Sequence, residues 1–106
     1  MLALNNNKES KKIYEDIILS KNKFYSILSL NTILEKNLEE DKNKILYYFS
    51  VLESLNLSIE QQNLIKFKKS LYFIKIFEKD KGFKLLKDLI ESNSKLKSLA
   101  KEIISD

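Results

Sequence analysis

The sequence predicts an all-α fold, an antiparallel four-helix bundle with an additional C-terminal helix or helical hairpin. Three observations predict it. Apolar residues recur at i, i+3, i+4 and i+7 along most of the chain. No stretch alternates apolar and polar residues for long enough to make a half-buried strand, and Gly82 is the only glycine in a chain without proline. The 106 residues, 43% apolar and 32% charged, suffice for one domain with its own core and are too apolar for a disordered chain. Residues 1–106 therefore read as a single helical-bundle domain. Residues 1–9 are expected to be a disordered or frayed N-terminus, and residues 83–106 a variable C-terminal helical element.

The first helix is expected over Ser10–Leu19, with Ser10 as its cap and Ile13, Tyr14, Ile17 and Ile18 as its stripe. A polar connection, Ser20–Lys23, leads to a second helix over Lys23–Glu39. Phe24, Ile27, Leu28, Leu34 and Leu38 form its apolar side, Leu30 and Ile33 broaden it, and Asn31 falls inside the stripe. Asp41 is placed to cap a third helix over Lys42–Ser54, where Ile45, Tyr48, Phe49 and Leu52 give the cleanest amphipathic signal in the chain. Ser58 and Gln61 have capping-box spacing and open a fourth helix from Ile59 to about Lys79. Its two lines, Leu64-Phe67-Leu71-Ile74 and Ile65-Tyr72-Ile76, make an apolar arc wide enough for contacts on two sides. On this register Tyr47 and Phe73 fall nearer the surface than their neighbours. Asp80-Lys81-Gly82 is the strongest break, since glycine takes a positive φ readily just past a helix end. Beyond it Phe83, Leu86, Leu89 and Ile90 begin a fifth helix. Leu96, Leu99, Ala100 and Ile103 continue the period, either in the same helix or in a second one split off at Ser92-Asn93-Ser94.

The chemistry open to this chain is narrow. Without cysteine or histidine it has no thiolate or imidazole ligand and no Ser-His-Asp or Cys-His constellation, and one glycine makes no phosphate-cradling loop. Carboxylate pairs remain: Glu15-Asp16, Glu35 with Glu39, and Asp88 with Glu91. All lie among lysines and asparagines on polar faces and read as solvated surface. No enzyme activity, cofactor or metal is expected. Met1-Leu2-Ala3-Leu4 is too short for a signal sequence, and runs such as Leu71-Tyr72-Phe73-Ile74 fall far below the ~20 residues of a membrane span, so a cytoplasmic location is expected.

All nineteen basic residues are lysine, and the net charge is +4. Residues 61–87 hold eight lysines against two acidic residues, a local +6, with Lys68, Lys75 and Lys79 expected along one face of the fourth helix. Such a segment either solvates a helix or forms an electrostatic footprint for an anionic membrane leaflet or an acidic partner. The absence of arginine removes the favoured bidentate guanine reader and argues against nucleic acid.

Two stretches resemble a known family. Ile13-Tyr14-Glu15-Asp16-Ile17-Ile18-Leu19-Ser20-Lys21-Asn22-Lys23-Phe24-Tyr25-Ser26-Ile27-Leu28 is similar to the first-to-second helix region of immunity proteins for pediocin-like bacteriocins, the enterocin A immunity family. Leu55-Asn56-Leu57-Ser58-Ile59-Glu60-Gln61-Gln62-Asn63-Leu64-Ile65 resembles the start of that family's fourth helix. The resemblance covers about residues 10–72. Residues 83–106 depart from it, reading as helix where several members carry a Gly-containing tail. The resemblance implies a four-helix bundle inside the producing cell, in the cytoplasm or peripheral to the inner face of the membrane. There it would protect without turnover by binding the mannose phosphotransferase permease occupied by bacteriocin. Charge and position make Lys75, Lys79, Phe83, Lys84 and Lys87 the candidate contact residues. Two other classes stay open, a helical adaptor, chaperone or phage-encoded inhibitor that binds a partner protein, and a nucleic-acid-associated subunit.

Overall fold

The computed structural model describes residues 7–105, and among them every regular element is helical. The helices are α1 (Asn7–Leu19), α2 (Lys23–Glu35), α3 (Lys42–Glu53), α4 (Ile59–Lys75), α5 (Lys79–Glu91) and α6 (Lys97–Ser105). They fall into two compact units, Met1–Asn56 and Leu57–Asp106.

In the first unit α1 packs mainly on α2, and α3 contacts both. Helix α1 begins three residues before the expected Ser10. Of the segment expected to fray, residues 1–6 lie outside the described residues, whereas Asn7, Lys8 and Glu9 are helical. Glu9 in the first turn complements the positive end of the helix dipole. Ser10 is therefore a buried residue within the helix and not its cap.

Lys21, at φ 62°, closes α1, and Asn22 caps α2 by accepting the Tyr25 N–H at 2.9 Å. The buried side of α2 coincides with the expected one at Leu30 and Ile33 and departs from it elsewhere. Ser26, Ser29, Leu30 and Ile33 face inward, at i, i+3, i+4 and i+7, while Phe24 and Leu28 are exposed. The cause is a pair of small polar residues that an apolar count overlooks. The fully buried Ser26 donates its hydroxyl to the Ile17 carbonyl at 3.1 Å, an acceptor in the last turn of α1 that also receives the Ser20 N–H and hydroxyl, and so ties α2 to the end of α1. Asn31 is half-buried.

Helix α2 ends at Glu35, four residues before the expected Glu39. Asn37 takes φ 52°, the Leu38 N–H returns to the Ile33 carbonyl at 3.0 Å and the Asn37 N–H to that of Leu34 at 3.4 Å. These are the two bonds of a Schellman motif, with asparagine in the left-handed position it tolerates better than most residues. Helix α3 follows its pattern. Asp41 caps it by accepting the Asn43 N–H at 2.9 Å, and Ile45, Tyr48, Phe49 and Leu52 are each at most 1% exposed. Tyr47 is exposed, as its register requires.

In the second unit α4 packs closely on α5, and α5 on α6. The capping box at the start of α4 forms in both directions, with the Gln61 N–H on Ser58 Oγ at 3.1 Å and the Ser58 N–H on Gln61 Oε1 at 3.0 Å. The end of α4 departs from expectation. The break falls at Phe77 and not at Gly82. Phe77 takes φ 66°, its N–H bonds the Ile74 carbonyl at 3.1 Å, and the Glu78 N–H bonds that of Phe73 at 2.8 Å. A second Schellman motif thus stops the helix at Lys75, so Lys68 and Lys75 lie on α4 while Lys79 opens α5. The expected shared face of these three lysines does not exist.

Gly82 sits near the start of α5, buried, without a positive φ. A Cβ there would lie 2.7 Å from the Ser70 carbonyl oxygen and 2.8 Å from Ile74 Cγ1. Its use is close approach between α4 and α5, not chain reversal. That contact also sets the register of α4, which buries Ile65, Ser70 and Phe73 and leaves Leu64 and Leu71 exposed. Phe73 is thus a core residue, against the expectation that it lies near the surface.

A third Schellman motif, with Asn93 at φ 56° and the Ser94 N–H on the Leu89 carbonyl at 3.2 Å, splits the C-terminal stretch into α5 and α6. Leu86, Leu89 and Ala100 form the buried centre there, flanked by Phe67, Ile74, Phe83, Ile90, Ile103 and Ile104.

Phe77 is an unfavourable residue for its position. A side chain in the left-handed region costs about 1 kcal/mol that glycine avoids, and Phe77 is 95% exposed, so almost no burial offsets it. Phe77→Gly is expected to raise the midpoint of thermal unfolding by roughly 2–6 °C, followed by circular dichroism. An unchanged or lower midpoint would show that the aromatic ring is held by contacts worth more than the strain.

Candidate functional site

The candidate contact residues run from the end of α4 along roughly the first two and a half turns of α5. Lys75 is the last residue of α4, Lys79 the first of α5, and Phe83 and Lys87 follow Lys79 at four-residue steps on the same face. Lys84 lies one position round the helix from Phe83. The four lysines are exposed. Phe83 is half-buried and packs against the Leu86, Leu89 and Ala100 cluster, with the Lys79 ammonium 5.1 Å from its ring centroid. Phe83 therefore supports Lys79 from below more than it offers a face of its own.

The corner between the two helices adds residues that sequence reasoning passed over. Lys81 bonds Glu78 at 2.7 Å and places its ammonium 5.8 Å from the ring centroid of the buried Phe73. This pair offsets one of the two acidic charges of the segment locally. Phe77, between Lys75 and Lys79, is the most exposed large apolar residue described. Nothing in the apolar period marked it, because a helix continuing to Lys79 would have placed it on an ordinary flank. The available signal was negative, a phenylalanine that neither predicted line of α4 used.

A groove of about 500 Å³ lies at the other end of α4, lined by Ile59, Asn63, Leu64 and Leu96. The Lys95 ammonium bonds the Glu60 carboxylate at 2.5 Å there. The hydrogen bond and the attraction between the two hold the Glu60 carboxyl below its usual range and the Lys95 ammonium above its own.

The carboxylate pairs behave differently from one another. Glu35 and Glu39 do not share a helix, because α2 ends at Glu35. Glu39 instead turns inward, its side chain 5% exposed, and sits 3.4 Å from the Lys11 ammonium while accepting the Asp41 N–H at 3.1 Å. Tyr48 donates its hydroxyl to Glu15. One carboxylate from each of two expected pairs thus lies beside the buried Tyr48, a grouping that no spacing along the chain announces. Among the described residues no group of three or more potential ligands gathers to hold a metal ion.

Burial pushes the Tyr48 phenol well above its ordinary value, and the Glu15 carboxylate that accepts its proton, with Glu39 nearby, pushes it further the same way. The folded protein therefore keeps a proton that the unfolded chain releases near pH 10.0. The stabilisation is complete below that pH and is lost as pH rises toward the folded value, at up to about 1.4 kcal/mol per pH unit. Tyr48→Phe is expected to cost about 1 kcal/mol at neutral pH and to flatten the alkaline fall. Urea unfolding of both proteins between neutral pH and pH 11 measures it, and parallel curves would remove Tyr48 from the account.

No helix among the described residues is long and apolar enough to cross a membrane. Compared with family models, characterised proteins and solved structures, the chain finds no match.

Proposed function

We propose that this chain is an immunity protein of the pediocin-like bacteriocin type. It acts on the cytoplasmic side, protecting the cell that makes it by non-catalytic binding to the bacteriocin-occupied mannose phosphotransferase permease. The observation that supports the reading best is the α4–α5 corner, where Lys75, Lys79, Lys84 and Lys87 stand exposed on an otherwise helical scaffold. The chemistry of such a corner is recognition: point charges attract an anionic surface, and preformed helices present them without an ordering cost. The reading brings a finer architecture with it, an antiparallel four-helix bundle with an additional C-terminal helical element.

Expressing the intact chain in a bacteriocin-sensitive strain that produces none tests the proposal. Survival against at least one member of a panel of pediocin-like bacteriocins is expected to rise at least tenfold. Unchanged sensitivity across the panel contradicts it. The groove beside Ile59 and Leu96 favours a second reading, an adaptor that takes an apolar segment of a partner protein.

A further inference from the structure

We propose that Phe77 is a lipid anchor, inserted into the interfacial region of an anionic membrane while the lysines beside it hold the headgroups. Three observations meet at this residue. Phe77 is 95% exposed, far more than any other large apolar side chain described. It occupies the left-handed position that ends α4, at φ 66°, where glycine or asparagine would be cheaper. Its surroundings carry a net positive charge: Lys75, Lys79, Lys81 and Lys84 are exposed within seven residues of it, against the exposed Asp80 and a Glu78 that is bonded to Lys81.

A single ring on an exposed turn suits lipid better than protein. An aromatic anchor in a protein interface needs a pocket on the partner and a rim that excludes water. A bilayer needs neither, because headgroups and chains move aside for the ring. Lysine fits the same partner, being a flexible point charge that attracts anionic headgroups without fixed geometry. Its long stem also lets the ammonium stay among the headgroups while the corner settles below them. The turn at Phe77–Lys81 borders an open depression of about 290 Å³ whose only apolar lining residue is Phe77 itself.

The inference deepens the proposed function, since it gives the basic corner a lipid contact beside the receptor. It stands or falls separately, because vesicle binding requires neither bacteriocin nor permease. The chain has no tryptophan, so Phe77→Trp places the sole indole at the site. Its emission is expected to shift to the blue on adding phosphatidylglycerol-containing vesicles, to be quenched by brominated lipid, and to stay unshifted with pure phosphatidylcholine. Phe77→Gly, which relieves strain at the turn, is expected to weaken sedimentation with the anionic vesicles about tenfold. High salt is expected to release the wild type. An indole that stays in water, or a Phe77→Gly protein that sediments as the wild type does, overturns the proposal. So does a Phe77→Gly protein that loses protection in cells while keeping its vesicle binding, which would give the ring to a protein partner.

Discussion

Gly82→Ala is expected to destabilise the protein by about 1–3 kcal/mol, lowering its thermal midpoint by roughly 4–8 °C for each kcal/mol. The sign is informative. Helix propensity alone favours alanine over glycine inside α5 by about 1 kcal/mol, so a protein without the close contact would be stabilised. The contact reverses this. The added Cβ meets the Ser70 carbonyl oxygen at 2.7 Å, a backbone atom that cannot rotate away, and Ile74 Cγ1 at 2.8 Å. Relief requires α4 and α5 to separate, which loosens Phe67, Ile74 and Phe83 around the Leu86 centre. A rise in midpoint would mean that α4 and α5 do not approach as closely as described.

Leu86→Ala is expected to cost more, about 2–5 kcal/mol. Leu86 is fully buried at the centre of the second unit, beside Leu89 and Ala100. Its removal takes away the transfer energy of the lost carbons and leaves a cavity that helices held by the Gly82 contact cannot readily close. Chemical denaturation should show a lower midpoint with a similar slope. An effect under about 1 kcal/mol would show that the second unit has no tightly packed centre.

Much of the helical pattern was legible in the sequence because it rests on local chemistry. Asp41 and Ser58 cap what their spacing says they cap, and the Ile45, Tyr48, Phe49 and Leu52 stripe is buried throughout. The misreadings share a physical cause. Helices α2 and α4 end earlier than expected at non-glycine residues in the left-handed region, Asn37 and Phe77, whose return hydrogen bonds leave no mark in an apolar period. Gly82 drew attention as the expected break, although its value lies in packing. Buried serines at 26, 29 and 70 mark close helix approaches that a count of apolar residues assigns to the polar side. The candidate site divides in the same way. Its lysines were legible as a charge excess, whereas Phe77 became visible only once the end of α4 had been placed.

The central claim, that the α4–α5 corner is the working surface, meets its most direct test in a charge reversal. Lys75, Lys79, Lys84 and Lys87 are changed together to glutamate, and the survival of bacteriocin-challenged cells carrying this protein is compared with that of cells carrying the wild type. All four side chains are exposed, so the helical circular dichroism and cooperative unfolding should persist. The account predicts that protection conferred by the wild type is lost in the reversed protein while its fold is retained. Equal protection by the two proteins would contradict it.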